Sequence, residues 1–368
     1  MLLRMSPAPI PDKMRAVLWK GYGGYEQLEY RDDVPVPQPA AGEVLVRIGA
    51  AGVNNTDINT RAGWYSRAVA EGTSAHVAAQ GFSGAAPRDA GWTGVEQQFP
   101  RIQGADGCGL IVAVGDGVAA GRIGERVLIE PIIRSSNLQG ASVNYFGSEC
   151  NGAFAEFSTV PSVNAHAIRS ALSDAQLASF PCAYSAAEHL LERARLAHGD
   201  DVLITGASGG VGSAALQLAL RRGARVTALC GPSKAAAIAA LGATRIVDRD
   251  EDLAAAVGDE SIDVVIDVVG GAQFGPLLQV LKRRGRYATA GAIAGPIVQL
   301  DLRTLYLKDL ELQGCTVFEP AVFRNLIGYI ERGEIRPLVA KQYPLSAIVA
   351  AQQEFTNKHH VGKVVLLP

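Results

Sequence analysis

The sequence predicts an α/β protein in which a doubly wound parallel sheet is joined to a β-rich domain. Three observations predict it. From about residue 161 onward, short apolar strands alternate with helical segments. Before that point, strands of alternating apolar and polar residues are separated by glycine-containing turns. Within the second region, the run Thr205-Gly-Ala-Ser-Gly-Gly-Val-Gly-Ser213 falls between an expected strand and an expected helix.

The composition agrees with two packed domains. A chain of 368 residues exceeds what one ordinary core organises. A hydrophobic fraction of 48% excludes intrinsic disorder, and 41 glycines with only 19% charged residues fit a compact interior with many tight turns. A formal charge of −2 gives no electrostatic case for nucleic acid or an anionic membrane surface. No run approaches the roughly 18 apolar residues that span a bilayer. The opening residues lack the apolar stretch of a signal peptide. The 5 cysteines are widely spaced and form neither a disulfide framework nor a Cys-x-x-Cys pattern, so a reducing, cytoplasmic setting is expected.

In chain order, strands are expected at 14–19, 43–48, 109–114 and 125–129, as in a small antiparallel barrel or sandwich. Residues 66–99 show no sustained period and read as a lid or a disordered loop. Helices are expected at 174–179 and 185–193. Then follow strand 201–205, helix 213–222, strand 225–230, helix 234–241, and strands 245–248 and 261–267. Helix 274–282 and strand 286–290 continue the alternation, and helix 321–332 and strand 362–367 close the chain. The last strand is expected to rejoin the first domain.

Gly206, Gly209 and Gly212 recur at three-residue intervals, a variant of the dinucleotide fingerprint. Absent side chains let the backbone turn tightly and approach a pyrophosphate, and the following helix aims free N–H groups at that anion. Ser208, Gly210 and Val211 complete this candidate cofactor loop. A turn that merely packs helix on sheet is the alternative, and the repeated strand–helix context argues against it. The next strand ends at Cys230 and leads into Gly231-Pro-Ser-Lys234. No carboxylate stands where a ribose 2′-hydroxyl would need one. Ser233 and Lys234 offer a donor and a positive charge to a 2′-phosphate, so NADP(H) is expected over NAD(H). The competing reading has Ser233 capping the next helix and Lys234 solvated.

Many ordered segments carry a resemblance. They include Gly42-Glu-Val-Leu-Val, Ala51-Gly-Val-Asn-Asn-Thr-Asp57, Gly104-Ala-Asp-Gly-Cys-Gly109, Gly124-Glu-Arg-Val127, Gly152-Ala-Phe-Ala-Glu156, the glycine loop, Asp267-Val-Val-Gly-Gly271 and Gly362-Lys-Val-Val365. With these the chain resembles the medium-chain dehydrogenase/reductase superfamily, in particular its zinc-independent quinone oxidoreductase branch. The resemblance implies a GroES-like barrel domain from residues 1–161 and 319–368 and a Rossmann NADP(H)-binding domain from 162–318. It also implies an active site in the cleft between them and a homodimer or homotetramer. Zinc-dependent members carry Cys where this chain has Asn54 and His-Glu where it has Ala105-Asp106, and their four clustered structural cysteines are absent here. No metal is therefore expected. Without a Lewis acid, a conjugated acceptor that is already electrophilic is the easier hydride acceptor.

In the resembling branch the segment matching residues 54–65 lines nicotinamide and substrate. Asn54 is then a candidate amide donor to a developing oxyanion, with a turn residue as the plainer reading. Asp57 orients the segment or caps a helix. Tyr65 donates to the reacting groups or simply packs. Ala186 stands where the family often has Thr, with Ser185 as a possible substitute. Gly270, Gly291 and Phe318 follow parallel strands, where the ligand crevice of such sheets lies. Lys363 matches a position near the cofactor phosphate. The family crosses residues 66–99 with a short loop. Here Phe82 and Trp92 could anchor a flap over the substrate mouth or a subunit contact, or the segment is a disordered insertion.

The expected activity is an NADPH-dependent, metal-free oxidoreductase acting on a small-molecule quinone or activated C=C substrate. The alternatives are a zinc-free alcohol or carbonyl dehydrogenase and a non-catalytic, crystallin-like cofactor-binding protein. An RNA-binding role has no basic and aromatic array to support it.

Overall fold

The computed structural model describes residues 9–137 and 140–368. Six parallel strands form one sheet: β1 (Asp201–Ile204), β2 (Arg225–Cys230), β3 (Arg245–Asp248), β4 (Ile262–Asp267), β5 (Leu281–Thr289) and β6 (Glu311–Gly314). Their spatial order is β3-β2-β1-β4-β5-β6, with the order reversing at β1, where ligands bind in sheets of this kind. The apolar runs are buried on both faces. Val202, Ile204, Val264 and Ile266 face one cluster, which includes residues of helices Pro181–Arg193 and Gly210–Arg221. Leu203, Val265 and Tyr287 face the opposite cluster, which includes residues of helix Phe274–Val280. This two-sided burial explains why these strands read as continuous apolar runs.

The β-rich part centres on strand Glu43–Gly52. It pairs antiparallel with Cys108–Val114 and Phe157–Pro161, and its end pairs with the terminal strand Lys363–Leu367 through Gly52↔Val365. These belong to a seven-stranded sheet. Lys13–Trp19 lies between Leu28–Pro35 and Arg101–Ile102 in a separate three-stranded sheet. Val44, Val46, Ile111, Phe154 and Phe355 are among the residues filling the core of this part. No helix among the described residues is long and apolar enough to cross a membrane.

Residues 66–99 are not structureless. They contain helix Ala75–Gln80, capped by the Ser74 side chain, and a short 3-10 turn, Pro87–Asp89. Trp92 anchors the segment by stacking on Tyr145, and further anchors lie outside it. The fully buried Arg61 donates to the Ala78 carbonyl at 2.9 Å, and Glu149 accepts from the Thr93 amide and hydroxyl, both at 3.0 Å. The helix expected at 234–241 is a 3-10 turn, Pro232–Lys234, followed by the short helix Ala235–Ala239. Strand Leu28–Pro35 gave no apolar alternation because most of it is exposed.

Candidate functional site: a glycine-lined pocket beside a buried ion pair

The pocket starts at the end of β1. Gly206 has φ of +56°, which an L side chain rarely adopts. A Cβ on Gly212 would stand 2.2 Å from the Gly206 carbonyl oxygen, so the helix can sit on the loop only with glycine there. Gly209 differs: the nearest atom to its Cβ would be that same oxygen at 3.4 Å, an ordinary contact. Bare backbone at Gly209 is thus not a packing requirement. The first N–H groups of helix Gly210–Arg221 have no acceptor within the helix, and Gly210, Val211 and Gly212 line the pocket. Buried Asp267 holds the rim. It accepts from the Thr205 hydroxyl and the Tyr287 phenol, each at 2.6 Å, and from the Val269 amide at 2.8 Å. The ends of β1, β4 and β5 are thereby tied together, and Tyr287 serves the core and this rim.

A cavity of about 770 Å³ follows. Its lining includes Gly206, Ser208, Gly209, Gly210, Val211, Gly212, Gly231, Ser233, Lys234 and Gly270 from the expected set. Gly291 and Phe318 do not line it; Ile293 and Ala294 stand there instead. Phe318 is buried under the Arg134 guanidinium, 5.6 Å from its ring centroid. Ser233 does not cap the following helix, which has no side-chain cap.

Sequence reasoning missed several lining residues. Arg249 follows β3, whose Asp248 pairs with Cys230 at the end of β2, so its guanidinium lies near Gly231. That register was the signal. Lys358 and His360 come from the loop before the terminal strand and have no local motif. Lys358 adopts φ of +56° and donates to Asn55 Oδ1 at 3.0 Å, with its Nζ 3.8 Å from the Phe355 ring centroid. Its carbonyl accepts from Lys234 Nζ. Burial, then the charges of Lys234 and Lys363, push the Lys358 ammonium down to about 7. Burial first, then neighbouring cations, push His360 down to about 4. Its Nδ1 is buried with no hydrogen-bond partner among the described residues. Bare Gly209, free helical N–H groups, clustered cations and an orphaned ring nitrogen fit a phosphate-rich dinucleotide.

Next to this pocket lies a buried polar cluster. Lys363 Nζ is 2.8 Å from Asp106 Oδ2 and also donates to Asn54 Oδ1. Asn54 Nδ2 donates to Asp106 Oδ2 at 2.9 Å and approaches the Gly52 carbonyl at 3.4 Å. The Cys182 amide donates to Asp106 Oδ1 at 2.6 Å. Two expectations change. Asn54 is not a free oxyanion donor, because its amide hydrogens already face Asp106 and Gly52. Lys363 does not present its ammonium to the pocket, because Asp106 and Asn54 hold it. Asp57 accepts from the Asn54 amide at 2.8 Å, closing a capping box on helix Asn55–Ala62. Burial pushes its carboxyl up to about 7. Arg61 is structural, as its bonds to Gly23, Ala78 and Gln352 show.

The cluster does not fit zinc. Asn54 and Ala105 offer no thiolate or imidazole, and the Lys363 ammonium already occupies Asp106. No group of three or more His, Cys, Asp or Glu side chains able to hold a metal occurs among the described residues.

Two buried aromatic hydroxyls, Tyr65 and Tyr145, do not line the cavity. Tyr65 donates to Thr56 Oγ1 at 3.3 Å. The Tyr145 hydroxyl lies 3.0 Å from Cys182 Sγ, and its ring stacks on Trp92 with centroids 4.6 Å apart. Burial holds both phenols above their ordinary range and pushes the Cys182 thiol up to about 12, so the phenols stay protonated and the thiol is a poor nucleophile. Ser185 Oγ donates to the Cys182 carbonyl at 3.2 Å, so it serves its own helix rather than replacing the missing Thr.

Comparison with known proteins identifies the family. Residues 40–170 match the alcohol dehydrogenase GroES-like domain, and residues 210–332 match the family described as zinc-binding dehydrogenase. The chain is 30% identical to acryloyl-coenzyme A reductase of Metallosphaera sedula, over 96% of this chain and 99% of that protein. It is 28% identical to quinone oxidoreductase of Lama guanicoe, over 96% of this chain and 97% of that protein. A crystal structure of an alcohol dehydrogenase-like protein from Sinorhizobium meliloti shares 48% identity at a TM-score of 0.86, covering 98% of each chain. Fold, glycine loop and relatives together make this chain an oxidoreductase-type member of the medium-chain dehydrogenase/reductase superfamily.

Proposed function

We propose that the protein is an NADP(H)-dependent oxidoreductase that reduces a quinone or an activated C=C bond without metal. The observation that carries this reading is the Lys363–Asp106–Asn54 cluster. A protein cation and an amide fill the place where a metal would polarise an alcohol or carbonyl, so the acceptor must arrive already electrophilic. The resemblance to quinone oxidoreductase and acryloyl-coenzyme A reductase supports the same acceptor class.

Bound NADPH supplies the hydride. The chain's own groups do the rest. The free N–H groups of Gly210, Val211 and Gly212 receive the pyrophosphate. Ser233, Lys234, Arg249 and Lys358 surround the end of the pocket suited to the 2′-phosphate. The protonated phenol of Tyr145 is available to the acceptor's oxygen as negative charge develops, and that of Tyr65, which is bonded to Thr56, less so. Residues 1–161 with 319–368 form the substrate-bearing domain in this reading, and 162–318 the nucleotide domain.

Two further features bear on the setting. Exposed Leu302, Tyr306, Leu307 and Leu312 lie on and beside β6, the last strand of its sheet, which supports a second copy pairing there. The free thiols Cys108, Cys150, Cys182, Cys230 and Cys315 support a reducing, cytoplasmic location.

The test is NADPH oxidation with a panel of quinones and enones, with product analysis and dissociation constants for NADPH and NADH. Reduction of the conjugated acceptors with tighter NADPH binding is expected. NADP⁺ reduction by simple alcohols, with no turnover of conjugated acceptors, would overturn the reading.

A further inference from the structure

We infer that residues 71–73 form a clasp that positions the dinucleotide by tying together two walls of its pocket. The inference rests on the nucleotide reading of that pocket. Asn55 lines it from helix Asn55–Ala62, and Ile293 and Ala294 line it from the loop after β5. Residues 71–73 bond to both sides. The Thr73 amide donates to the Ile293 carbonyl at 2.9 Å. The Thr73 hydroxyl donates to Asn59 Oδ1 at 2.8 Å, and Asn59 lies on the same helix as Asn55. Trp64 Nε1 donates to the Glu71 carbonyl at 3.0 Å, fixing the clasp to the turn that ends that helix.

Between these bonds sits Gly72. A Cβ there would stand 2.4 Å from the Ile293 carbonyl oxygen and 2.8 Å from the Ala294 carbonyl carbon. Backbone lies flat on backbone, and only glycine permits the approach. The held loop is in turn tied to the pocket floor. The Ala294 amide donates to the Val269 carbonyl at 2.8 Å, and the Gly271 amide to the Gly295 carbonyl at 3.2 Å. A push at Gly72 therefore reaches Ile293, Ala294 and Val269, all of which line the cavity. The segment carrying the clasp is the one for which the sequence alone offered only a lid, a contact or disorder.

The experiment follows NADPH itself, by fluorescence titration and stopped-flow release. Gly72→Val wedges the backbones apart, and Thr73→Val removes only the hydroxyl bond to Asn59. Expected is ~10-fold faster NADPH release for Gly72→Val, equivalent to a tenfold weaker dissociation constant at constant on-rate, and a smaller effect in the same direction for Thr73→Val. KM for NADPH rises by a similar factor, while kcat at saturating NADPH changes little. A drop in thermal midpoint with release unchanged or slower in both variants would mean a purely structural segment and overturn the clasp. If Gly72→Val does not fold, unchanged release in Thr73→Val overturns it alone. Wild-type protein that fails to bind NADPH would overturn the nucleotide reading and the clasp with it.

Discussion

Lys363 Nζ lies 2.8 Å from Asp106 Oδ2, and neither side chain is more than 3% exposed. Such a pair is costly to break from one side. Lys363→Met leaves a buried carboxylate without its cation and is expected to destabilise the protein by ~3–5 kcal/mol. The double variant Lys363→Met/Asp106→Leu recovers most of that loss, although the Cys182 amide and Asn54 lose an acceptor. Chemical denaturation of the three proteins measures this. Dialysis against a chelator is expected to leave the proposed reductase activity of the wild type unchanged, because Lys363 already occupies Asp106.

Gly209 and Gly212 separate what the ligand needs from what the fold needs. Gly212→Ala forces a Cβ to within 2.2 Å of the Gly206 carbonyl oxygen, so both thermal midpoint and NADPH affinity fall. Gly209→Ala meets only an ordinary contact at 3.4 Å and keeps a near-wild-type midpoint. Its NADPH dissociation constant still rises, by ~10-fold or more, because the methyl group occupies space the pyrophosphate needs. Parallel thermal melts and fluorescence titrations show the split. Equal NADPH affinity for Gly209→Ala and wild type would contradict the pocket assignment.

The glycine loop was legible because everything its chemistry requires is packed into a few consecutive residues flanked by a strand and a helix. Asn54 was misread because its amide is oriented by Asp106, 52 residues away, and by Lys363, 309 residues away. No local pattern encodes that. Lys358 escaped for a similar reason. The topology returns the end of the chain to strand Glu43–Gly52 and so carries the preceding loop over the nucleotide pocket. The fold of residues 66–99 depends on Arg61, Glu149 and Ile293, none of which belongs to the segment. Periodicity finds elements that bury one face; it does not find segments held by side chains and carbonyls elsewhere.

The lowered Lys358 ammonium is expected to give the proposed NADPH binding a pH dependence. Below about 7 the group is charged and, in the proposed function, pairs with the 2′-phosphate. Above that value the free protein has lost the proton and must take it up on binding, so affinity falls as pH rises. Between about pH 6 and about pH 8.5 the NADPH dissociation constant is expected to rise ~10-fold. NADH, without the 2′-phosphate, shows a flatter profile. Lys358→Met weakens NADPH binding at about pH 6 and removes most of the slope. The same titration favours the fold at higher pH, because the unfolded chain binds this proton up to the ordinary lysine value of 10.5. An NADPH profile as flat as that of NADH would contradict the role given to Lys358.

The apolar edge at β6 predicts a dimer. Leu312 on that strand and Tyr306 in the preceding helix are 37% and 62% exposed. Leu312→Lys with Tyr306→Glu places charges on the face a second copy would cover. Light scattering on the sized protein is expected to show a dimer or tetramer for wild type and a smaller species for the double variant, with NADPH affinity retained. A monomeric wild type would refute this pairing.

Tyr145 tests the chemistry most directly. Tyr145→Phe keeps the ring stacked on Trp92 and removes only the hydroxyl, whose protein partner is the weakly hydrogen-bonding Cys182 thiol at 3.0 Å. The loss to the fold is therefore small. If the phenol donates to the acceptor's oxygen as charge develops, kcat falls ~100-fold, in line with removal of one oxyanion donor, while the NADPH dissociation constant stays unchanged. Tyr65→Phe has a smaller effect, because its hydroxyl is already committed to Thr56. A residue that only packed would leave both kcat and the thermal midpoint nearly unchanged in the Phe variant. A kinetic isotope effect with deuterated NADPH separates the cases further. Weakened stabilisation of the oxyanion makes hydride transfer more fully rate-limiting, so the effect grows in Tyr145→Phe. An unchanged kcat with an unchanged isotope effect would remove Tyr145 from the mechanism.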